Sequence, residues 1–137
     1  MDRVTNILLV DDDDIDVMNV RRAFEKGKIE NPLFHAGDGL IALEMLRDGT
    51  VPKGRRVVLL DLNMPRMNGI EFLQALRADP LLAGTSVVVL TTSDEERDRV
   101  EAYNLFVAGY LIKPVRFVSF MELMATLNRY WAVMEMP

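Results

Sequence analysis

Four polar clusters in this sequence are of a type and spacing that can do chemistry. Asp11-Asp12-Asp13-Asp14, with Asp16 just beyond, follows the apolar run Ile7–Val10, and Asp61 closes the apolar run Val57–Leu60. Thr91-Thr92 follows Ser86–Leu90, and Lys113 follows Ala108–Ile112. Carboxylates crowded together repel one another, which raises their pKa values unless a cation neutralises them. The chain has no cysteine and a single histidine, His35, so a cation in an acidic pocket would be held by oxygen alone. Such a donor set favours a hard ion such as Mg²⁺, which keeps several of its waters. A carboxylate beside Mg²⁺ can attack phosphorus and form an acyl phosphate. The metal, a lysine ammonium and a hydroxyl would then hold the phosphoryl oxygens.

These groups can cooperate only if the elements between them bring them together. Ile7–Val10 is short, wholly apolar and reads as a buried strand, and from Ile15 to Phe24 apolar residues recur at helical spacing up to a stop at Gly27. Asn31-Pro32 breaks the chain before a second strand, Leu33–Ala36. Asp38 then stands where it can cap a helix striped by Ile41, Ala42, Met45 and Leu46. A polar connection from Asp48 to Arg56 leads into the third strand, Val57–Leu60. A helix after Gly69 carries Ile70, Phe72, Leu73 and Leu76 and stops before Pro80. The fourth strand is Ser86–Leu90, followed by a polar helix from Glu95 to about Asn104. The fifth is Ala108–Ile112, closed by Lys113-Pro114, and the last helix runs from Val115 or Val118 to Trp131. Five strands alternating with five helices predict an α/β domain with a parallel sheet covered on both faces. In such a sheet the strand ends lie on one edge, where several of them share a crevice.

The chain's bulk properties narrow the classes of function. Its 137 residues suit one domain spanning 1–137, with a core that needs no disulfide. A net charge of −5, a pI of about 4.9 and the lack of any Lys/Arg-rich block argue against nucleic acid as a partner. The longest apolar runs fall well short of the roughly 18 residues that a membrane span needs. The N-terminus lacks a signal peptide's apolar core, so a cytoplasmic location is expected.

Taken together, Val10-Asp11-Asp12, Asp61-Leu62-Asn63-Met64-Pro65 with Gly69, Leu90-Thr91 and Lys113-Pro114 resemble the receiver domain of two-component response regulators. The resemblance covers essentially the whole chain and implies a flavodoxin-like sheet in the order 2-1-3-4-5. It implies Asp61 as phosphoacceptor for a sensor histidine kinase, and Mg²⁺ (or Mn²⁺) held by Asp12 directly, Asp11 mainly through water, Asp61 and the backbone carbonyl of Asn63. Thr91, rather than Thr92, matches the hydroxyl that closes on the phosphoryl group. Lys113 matches the phosphate-binding lysine, with a cis bond before Pro114. Tyr110 matches the aromatic residue whose rotamer follows Thr91, and Asn63 and Ser93 the two positions that modulate dephosphorylation. Implied too is a signalling module, not an enzyme with a separate substrate.

The sequence departs from the usual pattern at Thr92, where many receivers have alanine, and in its longer acidic run. Asp13 and Asp14 are placed to cap the first helix, and Asp16 to favour its positive end. Residues 132–137 form a C-terminal extension. Tyr130-Trp131, the long Gly49–Arg56 connection and the absence of an output domain resemble the stand-alone response regulators paired with phytochrome-type histidine kinases. That narrower resemblance implies a bacteriophytochrome kinase as partner and a homodimer through the last helix and the region before it. The apolar surface of that helix, broadened by Phe117, Phe120, Leu123, Leu127 and Trp131, is more than one sheet face requires.

Blander readings stand beside these. An acidic run is commonly a solvated face, a strand tyrosine such as Tyr110 commonly core, and a lone lysine commonly surface. His35, expected in the second strand away from the crevice, reads as structural. An aspartyl-phosphate hydrolase would want a second acid just after the nucleophile, and Leu62-Asn63-Met64 supplies none. A receiver-fold adaptor that works without phosphorylation is the alternative in the interaction class.

Overall fold

The runs rich in β-branched and leucine residues become the strands of a single parallel sheet, in a computed structural model that describes residues 4–92, 94–102 and 104–134. In chain order the elements are β1 (Asn6–Val10), α1 (Asp14–Lys26), β2 (Leu33–Ala36), α2 (Gly39–Asp48) and β3 (Arg56–Asp61). There follow α3 (Gly69–Ala78), β4 (Ser86–Thr91), α4 (Asp94–Ala102), β5 (Gly109–Ile112) and α5 (Phe117–Met134). The sheet order is β2-β1-β3-β4-β5, all parallel, as the resemblance implies. No helix among the described residues is long and apolar enough to cross a membrane.

Alternation along the central strands divides the core between the two sheet faces. Leu8, Val10, Val58, Leu60, Val87 and Val89 meet α2 and α3 through Leu43, Leu46, Phe72, Leu73 and Leu76. Ile7, Leu9, Val57, Leu59, Val88 and Leu90 meet α1 and α5 through Val17, Val20, Phe24, Phe120 and Met124. The Phe24 and Phe120 rings, 4.8 Å apart, tie α1 to α5.

Caps start the helices: Asp38 as the sequence expects, α1 with one shift, and α3 at Asn68, for which the sequence carried no expectation. Asp13 alone is the N-cap of α1, accepting from the backbone N–H of Ile15 at 2.8 Å and of Asp16 at 3.4 Å, and Asp14 is already the first helical residue. Asp38 accepts from Ile41, and Asn68 with Glu71 makes a capping box. The last helix continues three residues beyond Trp131, so 132–134 are helical rather than a separate extension. Ser93 and the extension's Glu135, Met136 and Pro137 lie outside the described residues.

Two arginines hold loops in ways that periodicity does not announce. Arg77 of α3 donates to the carbonyls of Ala83, Thr85, Leu105 and Phe106, joining the loop before β4 to the loop before β5. Arg56 donates to Leu46, Val51 and Pro52, and so fixes the long connection into β3.

Candidate functional site

Strand register brings the polar clusters to one edge. Val10 pairs with Leu60 and Asp61 pairs with Leu90, so Asp11 and Asp61 leave β1 and β3 at neighbouring levels. Thr91 pairs with Ile112, and Lys113 comes next. Its backbone N–H donates to the Thr91 carbonyl at 3.0 Å, and the Lys113-Pro114 bond is cis. The crevice between β1 and β3, where the strand order reverses, is where open α/β sheets place their sites.

Asp11 and Asp61 are buried, with 0% and 4% of their surface exposed, and Asp12 lies at the rim. One carboxylate oxygen from each of Asp11, Asp12 and Asp61 falls within 4.8 Å of the other two. One Asp11 oxygen, Oδ1, accepts the Asp13 backbone N–H at 2.9 Å. The other, Oδ2, is buried and has no hydrogen-bond partner. An orphaned carboxylate oxygen beside two more carboxylates is the donor set of a hard divalent cation, so these residues fit Mg²⁺ or Mn²⁺.

Lys113 reaches into the same pocket. Its Nζ is 3.0 Å from Asp61 Oδ1, 3.8 Å from Asp11 Oδ2 and 2.9 Å from Asp16 Oδ2. The Asp16 contact has no signal in the sequence, where that residue stands only as an acid at the positive end of α1. Asp61 Oδ1 also accepts the backbone N–H of Asn63 at 3.2 Å, while the Asn63 side chain is exposed at the mouth.

Burial governs the ionisation of the three groups. It pushes Asp11 up from 3.8 to about 7, helped by the charges of Asp61 and Asp16 and opposed by the Asp13 N–H and Lys113. Burial also raises Asp61, against the hydrogen bond from Lys113. It pulls Lys113 down, but hydrogen bonds to Asp16 and Asp61 outweigh it, so the ammonium persists above its ordinary range.

A pH dependence follows. In metal-free protein the folded state holds the Asp11 proton up to about pH 7, whereas the unfolded chain releases it near 3.8. The stability linked to this group is present in full below about pH 4 and is lost as pH rises through about 7. Thermal melts in chelator across that window should show the slope, and Asp11→Asn should remove it. An equal slope in the variant would assign it to other groups.

His35 lies in the second strand, as expected, but not away from the crevice. Its ring lies on β2 beside the end of β1, and Nε2 donates to the Asp11 backbone carbonyl at 2.7 Å. Through this bond it braces the acidic loop. Asp38 pairs with Arg66 of the loop after Asp61, linking the start of α2 to that loop. Thr91 is buried, with 4% exposed. Tyr110 pairs with Val89, two residues before Thr91, so Tyr110 and Thr91 face the same side of the sheet. Tyr110 is partly buried with the Arg97 guanidinium 5.2 Å over its ring.

Comparison with known proteins identifies the family. The model of the response regulator receiver domain family matches residues 7–125. The response regulator Rcp1 of Synechocystis sp. is 34% identical over 128 residues, covering 91% of this chain and 87% of its own. A Mn²⁺-bound form of response regulator Rcp1 superposes with a TM-score of 0.66 at 32% identity, over 94% of each chain. The bacteriophytochrome response regulator AtBRR superposes with a TM-score of 0.82 at 36% identity, over 93% of this chain and 94% of its own. A phosphorylated cyanobacterial phytochrome response regulator, RcpA, gives 0.71 at 27% identity, over 98% of each. Receiver domains are phosphoacceptor signalling modules that work with histidine kinases and bind Mg²⁺ at an acidic site. With five strands in the order 2-1-3-4-5, an acidic pocket at their ends and a family match over most of its length, this chain belongs to the response regulator receiver domain family.

Proposed function

We propose that this protein is a response regulator receiver that accepts a phosphoryl group on Asp61 in a Mg²⁺-dependent reaction. The observation that carries the reading is the setting of that carboxylate. It is buried, 3.0 Å from the Lys113 ammonium, and within reach of the same cation as Asp11 and Asp12. Asp11, Asp12, Asp61 and the Asn63 carbonyl would hold Mg²⁺, which supplies charge neutralisation for the carboxylates and the phosphoryl oxygens.

An Asp61 oxygen attacks phosphorus as the bond to the donor's phosphohistidine nitrogen breaks, and the imidazole leaves with that electron pair. Lys113 turns from the Asp61 carboxylate to the new phosphoryl oxygens, and the Thr91 hydroxyl closes on them from β4. Thr91 and Tyr110, on one face of neighbouring strands, carry the change towards α4 and β5. Asn63, exposed at the mouth, and Ser93 set the access of the hydrolytic water.

The donor is a sensor histidine kinase of the bacteriophytochrome kind, a reading supported by the likeness to AtBRR. The output is a changed surface or a homodimer through α5 and its surroundings. Phe106, Ile112, Val118 and Met121 expose 75%, 73%, 53% and 47% of their surface there. The acidic charge of the chain keeps nucleic acid an unfavoured partner, and the cytoplasmic setting expected from the sequence is retained.

The test is phosphorylation itself. Acetyl phosphate with Mg²⁺ should add one phosphoryl mass to the intact protein, and chelator should prevent it. A protein that stays unmodified by acetyl phosphate and by its kinase, yet binds its partner equally well, would establish the adaptor reading instead.

A further inference from the structure

Asp16 has no role in the phosphoacceptor chemistry described so far, yet it makes the shortest contact that Lys113 has. It stands in the first turn of α1, placed there by the Asp13 cap, and reaches across 97 residues of sequence to the loop after β5. The Nζ–Oδ2 distance is 2.9 Å, against 3.0 Å to Asp61 and 3.8 Å to Asp11. Both partners are largely withdrawn from water, with 16% and 22% of their side chains exposed. Asp11, Asp12 and Asp61 bring their oxygens together for a cation; among the described residues Asp16 joins no such trio. It faces the lysine, outside the metal-holding set.

That arrangement addresses a conflict in the pocket. A divalent cation and an ammonium must share Asp61 at a few ångströms' separation, and their like charges repel. A lysine anchored only by Asp61 and Asp11 would compete with the cation for the same two carboxylates. We propose that Asp16 is the positioning residue that resolves this: its carboxylate anchors the Lys113 ammonium from the α1 side. The lysine thereby stays beside Asp61 when a cation enters, and turns to the phosphoryl group without losing its anchor. Lysine is a point charge on a flexible four-carbon stem. Fixing one of its three N–H donors on Asp16 orders the other two towards the site before the phosphoryl group arrives. The proposal rests on the phosphoacceptor reading, and it names the residue that keeps that site's lysine in place.

Asp16→Asn keeps the shape and removes the charge. Isothermal titration with Mg²⁺ alone should show affinity weakened by about threefold to tenfold, as for the loss of one charge-assisted contact. Phosphorylation by acetyl phosphate at saturating Mg²⁺ should slow by about tenfold. In metal-free protein the Lys113 side-chain ¹⁵N signal should broaden and exchange faster with water. Asp16→Glu should recover much of each effect. Asp14→Asn is the control, since Asp14 is an exposed acid of the same helical turn without the lysine contact. It should leave all three readouts unchanged.

A double-mutant cycle decides whether the effect runs through the lysine. In a Lys113→Met background, Asp16→Asn should change Mg²⁺ affinity by less than about twofold. Equal loss in both backgrounds would overturn the proposal in favour of a general field from the acid. Wild-type behaviour of Asp16→Asn in a protein that phosphorylates normally would overturn it as well. If wild-type protein takes up no phosphoryl group, it is the phosphoacceptor reading that fails. The Mg²⁺ titration and the Lys113 signal still judge Asp16 independently.

Discussion

Asp61→Asn is expected to take up no phosphoryl group, with labelling at least about 100-fold below wild type, while the fold stays at least as stable. The carboxamide has nearly the size of the carboxylate but lacks the nucleophilic oxygen anion. Neither Asp11 nor Asp12 replaces it. Asp11 is closed off at 0% exposure, with Oδ1 bonded to the Asp13 N–H, and Asp12 lies at the rim, away from Lys113's short contacts. Stability should not fall, because burial raises Asp61 above its ordinary value and its ionised form is therefore a cost at neutral pH. That cost is absent below the ordinary carboxylate range and grows as pH rises through the raised value, so the neutral variant gains most at high pH. Intact mass after acetyl phosphate treatment and chelator-containing melts read the two halves separately. Persistent phosphorylation would move the acceptor to another residue.

Gly69→Ala should have the largest effect on the fold around the site. A Cβ at Gly69 would stand 2.6 Å from the Leu62 Cα, 2.8 Å from the Asp61 carbonyl oxygen and 2.8 Å from the Leu62 Cδ2. Two of those three atoms are backbone, so no rotamer change relieves the clash. The Gly69 N–H also donates to the Leu62 carbonyl at 3.0 Å, a bond that requires the close approach. The expected cost is about 2–3 kcal/mol, the upper part of the range for overpacking a well-filled site. The loop from Asp61 to Asn68 must shift to make room, so Mg²⁺ affinity and phosphorylation should fall with stability. Urea denaturation checks the first part and metal titration the second. Gly84→Ala is the matched control: a Cβ there meets nothing within 4 Å. If Gly69→Ala matches Gly84→Ala, the approach of α3 to the acceptor strand is looser than described.

Much of the fold was legible because burial leaves a local signature. β1, β3 and β4 are covered on both faces, so they are continuous apolar runs, and their expected positions agree with the observed ones to within a residue at either end. The start of α2 was legible through Asp38, which acts on a backbone N–H three residues away, while the Asn68 cap of α3 acts over the same distance but stood in the sequence only as a turn residue. At α1 the choice between Asp13 and Asp14 was not legible. Both are capping types, and only the backbone angles at Asp13 select it. The end of α5 lies three residues beyond the expected Trp131, because Ala132, Val133 and Met134 carry no stop signal and residues 128–134 offer nothing to distinguish helix from tail.

The site was legible as a set of types in a set of places, and less so as a set of contacts. Asp61 and Thr91 end their strands and Asp11 and Lys113 follow theirs, and a parallel sheet must gather such positions at one edge. Which oxygen lacks a partner, which carboxylate Lys113 prefers, and what His35 bonds to are settled by strand register and helix rotation. Asp16 shows the difference most clearly. In the sequence it is one acid of five near a helix start, where a favourable interaction with the helix dipole suffices to explain it. Only the tertiary arrangement of α1 and the end of β5 carries it to within 2.9 Å of a lysine 97 residues away. His35, Arg66 and Arg77 likewise find their partners across 24, 28 and 28–29 residues for their most distant bonds.

By itself, then, the sequence determined the alternation of elements, the parallel sheet and the identity of the groups at its edge, because periodicity and capping act over a few residues. The tertiary structure decided the ion-pair partners of Lys113, the bracing of the acidic loop by His35 and the orphaned Asp11 oxygen. Those depend on distances of a few ångströms between segments far apart in the chain, and no local pattern of residue types encodes such distances.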